Sequence, residues 1–313
     1  MTQYKILITD GLDESGLSVL RAAAEVDDQP GISADDLLRV IPGYDALIVR
    51  GRTKVTASVL QAGSRLKAIG RAGVGVDNID LEAAKQHHVT VVNAPISTSL
   101  AVAELTFGLL LAVAREIPRA DAGMKLGNWL KKELEGVELN GKTLGVIGFG
   151  RIGMEVGKRA AAFGMNVIAY DPLISEDEIR QRGAEPVSIQ DVYAWSDFIS
   201  LHLPLNVQTR DMMGAQAFSQ MKDGVRIVCA ARGGIIDEAA LVAALNRGKV
   251  AGAALDVFGL EPPGLKEAVS HPRVIATPHI GAQTVEAQSR ASEDIAAEVL
   301  SVLQGRTLRW KVN

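Results

Sequence analysis

Cysteine is nearly missing from this chain. Cys229 is the only one in 313 residues, so no intrachain disulfide can form and an oxidising compartment is not required. A surplus of basic residues is missing too. Lys and Arg number 33 against 37 Asp and Glu, a net charge of −4, which argues against a nucleic-acid or anionic-membrane partner. No long apolar run is present. The most apolar stretch, Leu105–Ala114, is interrupted by Thr106 and flanked by Glu104 and Arg115. It falls short of the ~20 residues a membrane span needs and reads as a buried helix. The start, Met1-Thr2-Gln3-Tyr4-Lys5, has neither the basic opening nor the cleavage site of a signal peptide, so the expected location is the cytoplasm. No low-complexity segment or short repeat occurs, and no cluster has metal-ligand spacing, so no metal is expected.

What is there suits a globular protein: 47% of residues are apolar and 22% charged. Domains of about 100–200 residues make two the expected number. Short Ile- and Val-rich runs predict strands at Tyr4–Thr9, Ala46–Val49, Leu66–Ile69 and Val89–Val92. Helical patterns at Asp13–Ala24, Asp35–Val40, Ala57–Ala62 and Leu81–Gln86 separate them. Strands alternating with helices imply βαβ units and a parallel sheet. A long helix is predicted from about Ala101 to about Lys125, kinked at Pro118. A second alternating set follows, with strands at Leu144–Ile147, Asn166–Tyr170, Phe198–Leu201, Val225–Cys229, Ala251–Leu255 and Val274–Thr277. A terminal helix is predicted at Glu286–Leu303.

In the second set, Thr143–Ile147 runs into Gly148-Phe149-Gly150-Arg151-Ile152-Gly153, a G-x-G-x-x-G turn. A helical run, a strand and then Asp171 follow, the arrangement that separates a dinucleotide site from a chance glycine cluster. Gly148 permits the tight turn, Gly150 lets backbone approach a pyrophosphate, and Gly153 lets the helix pack on the strand. The free N–H groups at the helix start point at the phosphates. Asp171 accepts from the ribose hydroxyls and repels a 2′-phosphate, which selects NAD over NADP. Because this motif begins only at residue 148, the first sheet belongs to another domain.

Three segments at predicted strand ends carry candidate chemistry: Cys229-Ala230-Ala231-Arg232-Gly233-Gly234, Asp256–Pro263 and Thr277-Pro278-His279-Ile280-Gly281. Ligands of open α/β sheets bind beyond the carboxyl ends of the strands, where these segments can converge. Oxidising a 2-hydroxy acid needs a base, a cation for the carboxylate, and a group that tunes the base. His279 suits the base. Glu261 can pair with it, raise its pKa and fix its tautomer. Arg232 offers a planar fork to a carboxylate. Taken singly, each also fits a plain loop: Arg232 a surface turn, Glu261 a solvated loop, His279 a loop histidine. Downstream of a dinucleotide motif, the joint reading is favoured. His202 and His271 are read as non-catalytic.

Over nearly its whole length the sequence resembles the D-isomer-specific 2-hydroxyacid dehydrogenases. The matching segments are Ile48-Val49-Arg50, Gly70–Asn78, Val92-Asn93-Ala94-Pro95, the Gly148–Gly153 turn, Ala231-Arg232-Gly233-Gly234 and Pro278–Ala282. The resemblance implies two Rossmann-like or flavodoxin-like α/β domains with parallel sheets, the nucleotide domain inserted into the substrate domain. The expected bounds are 1–98 with 284–313 for the substrate domain and 99–283 for the NAD domain. It implies catalytic roles for Arg232, Glu261 and His279. The cofactor would be NAD, held by Val74, Gly148, Gly150, Arg151, Ile152, Gly153, Asp171, Pro172, Leu203, Pro204, Ala230, Ala231, Arg232, Asp256, His279, Gly281 and Ala282. The substrate would meet Arg50, Gly51, Arg52, Arg71, Val74 and Gly75. A homodimer formed through the nucleotide domains is implied as well.

The resemblance is strongest to members acting on 3-phosphoglycerate and 3-phosphohydroxypyruvate in serine biosynthesis. Arg50 and Arg52 would hold the phosphate, although a solvent-facing pair fits the sequence equally. A glyoxylate or hydroxypyruvate reductase, or another D-2-hydroxyacid dehydrogenase, is the alternative; an NAD-binding corepressor is the alternative of a different class. Ile96-Ser97-Thr98-Ser99 departs from the family's usual Gly-Asn, which points to a change in substrate or gating. Cys229 replaces a usual Asn and is read as a small buried residue. The chain's end soon after the terminal helix leads to an expectation that no regulatory domain follows.

Overall fold

A computed structural model describes Tyr4–Asn313, with only the backbone of Glu267. Met1, Thr2 and Gln3, on which the reading of the start partly rests, lie outside the described residues. The chain divides into two compact units: Met1–Ser99 with Ala282–Asn313, and Leu100–Gly281.

The first unit begins β1 (Tyr4–Ile8), α1 (Glu14–Arg21), β2 (Ala24–Asp28), α2 (Ala34–Val40), β3 (Ala46–Val49), α3 (Ala57–Ala62), β4 (Ala68–Arg71), α4 (Leu81–Gln86) and β5 (Thr90–Asn93). The helices start where short polar side chains accept the first free N–H groups: Asp13 from Ser15, Ser33 from Asp36 and Asp80 from Ala83. The five strands are parallel in the order β2-β1-β3-β4-β5, the flavodoxin-like order. Alternate side chains fill a core on each face. Leu7, Leu47, Ile69 and Val91 lie on one; Ile6, Ile48, Ala68 and Val92 lie on the other.

The chain then forms α5 (Ser99–Arg115), α6 (Ile117–Lys125), β6 (Thr143–Ile147), α7 (Arg151–Ala162), β7 (Asn166–Tyr170), α8 (Glu176–Gln181), β8 (Glu185–Pro186), α9 (Ile189–Trp195), β9 (Phe198–Leu201), α10 (Ala215–Gln220), β10 (Val225–Cys229), α11 (Glu238–Asn246), β11 (Val250–Leu255), α12 (Glu267–Ser270) and β12 (Val274–Ala276). The second sheet is also parallel, in the order β12-β11-β10-β9-β6-β7-β8. This is the doubly wound order, with its switch point between β6 and β9. The first unit resumes with α13 (Val285–Leu303), packed on α1, β4 and β5. The final residues run antiparallel beside β5, where Val312 N–H donates to the Val91 carbonyl at 2.9 Å.

Four sequence expectations need correction. β2 was not anticipated: its Ala-Glu-Val-Asp-Asp run is acidic and half-exposed, as suits a sheet edge, and carries no apolar signature. β4 starts two residues later than the Leu66 expectation, because Leu66 turns into the core before the strand begins. The long helix is two helices. Glu116 adopts a left-handed conformation (φ 51°) between α5 and α6. Pro118 therefore sits in the first turn of α6, where its missing N–H costs nothing, and kinks no helix. β8, two residues long, has no signal to read.

Candidate active site

The glycine turn lies at the sheet's switch point, and two of its glycines are required by contact. Gly148 has φ 90°, and a Cβ there would stand 2.5 Å from the His202 carbonyl oxygen. A Cβ on Gly153 would stand 2.2 Å from the Gly148 carbonyl oxygen. Gly150 differs: nothing lies within 4 Å of where its Cβ would be, and no side chain caps α7 behind it. Among the described residues no side chain takes the first N–H groups of this 12-residue helix, which suits a diphosphate. Asp171, after β7, accepts from Phe149 N–H at 2.8 Å and Leu173 N–H at 2.9 Å. Each carboxylate oxygen keeps a lone pair for a ribose hydroxyl. Arg151 and Ile152 begin α7, Pro172 and Pro204 are exposed, Leu203 is half-buried, and Ala230 and Ala231 are buried after β10. These residues fit a dinucleotide.

β10, β11 and β12 are neighbours, so the segments that follow them share one edge of the sheet. The Arg232 and Glu261 loops are in tight backbone contact at Gly233, where a Cβ would stand 1.8 Å from the Phe258 carbonyl oxygen. Arg232 is half-buried and donates from Nη1 to the Ala231 carbonyl at 2.7 Å. Glu261 accepts from Phe258 N–H at 3.0 Å on Oε1 and meets His279 Nδ1 at 2.8 Å on Oε2. Burial pushes the Glu261 carboxyl up. The bonds from His279 and Phe258, with the nearby charges of His279 and Arg232, outweigh this and hold it below the usual carboxylate value. An ionised carboxylate only accepts, so the proton of neutral His279 resides on Nδ1 and Nε2 presents its lone pair.

His279 itself is left-handed (φ 53°), an uncommon state for a residue with a side chain. Asp256 sustains it. The Asp256 carbonyl accepts from His279 N–H at 2.9 Å. Its buried carboxylate accepts from Thr277 Oγ1 at 2.6 Å and from the N–H groups of Ile280 and Gly281 at 2.8 Å each. Asp256 stands among the expected cofactor contacts, and both its carboxylate oxygens accept bonds from the His279 loop.

The remaining expected residues belong to the first unit. Arg50 is held through its backbone, with its N–H donating to Asp10 Oδ2 at 2.8 Å, and its guanidinium donates to Gln288 Oε1. Arg52 donates to the Thr9 carbonyl at 2.8 Å and pairs with Asp10 at 3.3 Å, so its charge is already compensated. Gly51, between them, is exposed. Arg71 donates to the Ala72 carbonyl at 3.1 Å, and the Val74 carbonyl accepts from Asn93 Nδ2 at 2.7 Å. Gly75 and Ala282 are half-buried.

Sequence reasoning missed one supporting residue of these loops. Glu238 accepts from Gly259 N–H at 2.8 Å, and only the fold joins these positions. His202, just after β9, meets Ser200 Oγ through Nε2 at 2.8 Å, while its buried Nδ1 has no partner among the described residues. Burial pushes His202 down to about 4. Cys229 is buried, as anticipated, and burial pushes its thiol up to about 11.

Residues 107–281 match the family profile described as the NAD-binding domain of D-isomer specific 2-hydroxyacid dehydrogenases. D-3-phosphoglycerate dehydrogenase of Methanocaldococcus jannaschii is 49% identical over 310 residues, 99% of this chain and 59% of that protein. The chain spans 58–59% of the length of this relative and of the rat enzyme of the same name. Among solved structures, a glyoxylate reductase from Paecilomyes thermophila superposes with a TM-score of 0.91 at 32% identity, covering 100% of this chain and 99% of that one. D-lactate dehydrogenase from Aquifex aeolicus, complexed with NAD and lactic acid, gives 0.84 at 30% identity over 96% of both chains.

Proposed function

The chain belongs to the family of D-isomer specific 2-hydroxyacid dehydrogenases, and from that premise we propose that it transfers a hydride between NAD and an anionic D-2-hydroxy acid. The substrate we infer is 3-phosphoglycerate, with 3-phosphohydroxypyruvate as its keto partner. The observation that carries this reading is the His279–Glu261 pair beside the Arg232 loop, in the same unit as the dinucleotide turn. The 46–49% identity to enzymes named for 3-phosphoglycerate supports the substrate.

A bound nicotinamide supplies a two-electron hydride acceptor for C2 of the hydroxy acid. The chain's residues do the rest. His279 Nε2 takes the hydroxyl proton, and Glu261 stabilises the imidazolium that results. Arg232 holds the carboxylate and polarises the forming carbonyl oxygen. In the reductive direction the same proton returns from Nε2. The glycine turn and Asp171 hold the cofactor, while Arg50, Arg71, Val74 and Gly75 serve the substrate.

A second reading, reduction of a short unphosphorylated 2-keto acid, is favoured by one observation: Arg52 is spent on Asp10 and Thr9. NADH oxidation across 3-phosphohydroxypyruvate, hydroxypyruvate and glyoxylate separates the two. A kcat/KM advantage of at least about 10-fold for the phosphorylated acid supports the first reading, since such a ratio reports differential transition-state binding. Preference for glyoxylate or hydroxypyruvate supports the second. NADH binding without turnover of any keto acid would overturn both and favour an NAD-binding regulator.

The enzyme we propose is a cytoplasmic homodimer. Among the described residues no helix is long and apolar enough to cross a membrane. Met124, Leu126 and Trp129, close together in sequence near the end of α6, are 57%, 78% and 76% exposed, apolar side chains that a partner surface would cover. Light scattering on Trp129→Asp tests this. A shift to monomer supports the dimer surface, and an unchanged mass contradicts it.

A further inference from the structure

Arg50 and Arg52 look equivalent in sequence, two positions apart, but the fold gives their guanidinium groups different partners. Arg52 faces the carboxylate of Asp10, whose side chain is only 4% exposed. Arg50 has no ion-pair partner among the described residues. Its guanidinium is held by the neutral amide oxygen of Gln288, in the first turns of α13. Gln288 is itself fixed. Its Nε2 donates to the Ala282 carbonyl at 2.6 Å, and its backbone N–H donates to the Thr284 carbonyl at 3.0 Å. Ala282 stands three residues after His279, where the chain re-enters the first unit. The backbone of Arg50 is clamped on both sides, by Asp10 on its N–H and by Asn78 Nδ2 on its carbonyl at 2.9 Å.

This arrangement does two separate jobs. An amide oxygen, like a carboxylate oxygen, accepts from a guanidinium and so helps to aim it, but it leaves the positive charge uncancelled. The remaining N–H donors of the fork stay available for a planar or tetrahedral anion. Burial disfavours the charged form of Arg50, which an incoming anion would relieve, and the carboxylate of Asp10 opposes that burial effect.

We propose that Gln288 is a positioning residue for the anionic end of the substrate: it aims Arg50 through a neutral acceptor so that the guanidinium keeps its charge for the ligand. The inference rests on the reading of the chain as a 2-hydroxyacid dehydrogenase with an anionic substrate, and it makes Arg50, not Arg52, the member of this pair that meets that substrate.

Two variants separate charge from shape. Gln288→Glu keeps the size and an acceptor oxygen but cancels the charge of Arg50; Gln288→Met removes the acceptor and leaves the charge; both lose the bond to the Ala282 carbonyl, so the difference between them reads the charge. KM and kcat are measured on whichever of the three keto acids the wild-type enzyme reduces best, with NADH affinity read by fluorescence titration. Preference for an unphosphorylated acid then counts against the phosphate reading alone. We expect Gln288→Glu to raise KM at least about 10-fold, with kcat and NADH affinity within about twofold of wild type, the pattern of lost ground-state binding. Gln288→Met should raise KM less, and adding Gln288→Glu to Arg50→Met should change nothing further. An unchanged KM in Gln288→Glu, or equal losses in Gln288→Glu and Gln288→Met, would overturn the proposal and leave Gln288 a merely structural contact.

Discussion

Gly233 packs so closely on Phe258 that its missing Cβ would lie 1.8 Å from the Phe258 carbonyl oxygen. The obstacle is backbone and cannot rotate aside. Because Phe258 N–H in turn donates to Glu261 at 3.0 Å, this contact sets the Arg232 loop against the loop that orients His279. Gly233→Ala should therefore cost about 1–3 kcal/mol of stability by overpacking. It should also lower kcat/KM by about 10²-fold through displacement of Arg232. Thermal melts and steady-state kinetics check this, and near-wild-type values for both would mean the loops relax without consequence.

Asp256→Asn retains shape but replaces one acceptor oxygen with an NH2 group. Three donors, Thr277 Oγ1 and the N–H groups of Ile280 and Gly281, then compete for a single oxygen in a buried site. A loss of about 1–3 kcal/mol is expected for the unsatisfied groups. With the left-handed His279 no longer sustained, kcat should fall about 10- to 100-fold. Unchanged kcat would show that the loop holds its shape without Asp256.

His202 makes stability depend on pH. Unfolded histidine titrates near 6.5, and burial pushes folded His202 down to about 4. The unfolded chain therefore binds more protons between these values. Stability is fully present above about pH 6.5 and falls as pH drops towards about 4, by up to about 3 kcal/mol from this group. The wild-type minus His202→Asn difference in unfolding free energy should shrink across that window. A difference that does not vary with pH would show that His202 does not titrate in this way.

Asp171→Ala should raise the NADP-to-NAD ratio of kcat/KM at least about 10-fold, because the charge that repels a 2′-phosphate is gone. NAD affinity should drop as well, since Asp171 also holds Phe149 and Leu173 N–H in the glycine turn. A constant cofactor ratio would assign specificity elsewhere.

The glycine turn was legible in the sequence because backbone sterics impose it: Gly148 and Gly153 have no room for a Cβ, and strand, turn and helix follow one another along the chain. The parallel α/β character was legible from strands such as β3 and β9, buried at every position. β2 was not, because an acidic edge strand carries no apolar pattern. Nor was the break at Glu116, where Pro118 was the visible but misleading cue. The pairing of Glu261 with His279 was anticipated from chemistry, across 18 residues. The different settings of Arg50 and Arg52 were not, because Gln288 is 238 positions from Arg50 and only the fold brings them together.

If His279, oriented by Glu261, moves the proton, its loss is read most directly in single-turnover reduction of the preferred keto acid by His279→Asn, with NADH binding measured on the same preparation. The expected rate is at least about 10²-fold lower with NADH affinity preserved, as for loss of a general acid-base group. Near-normal turnover by this variant would contradict that role.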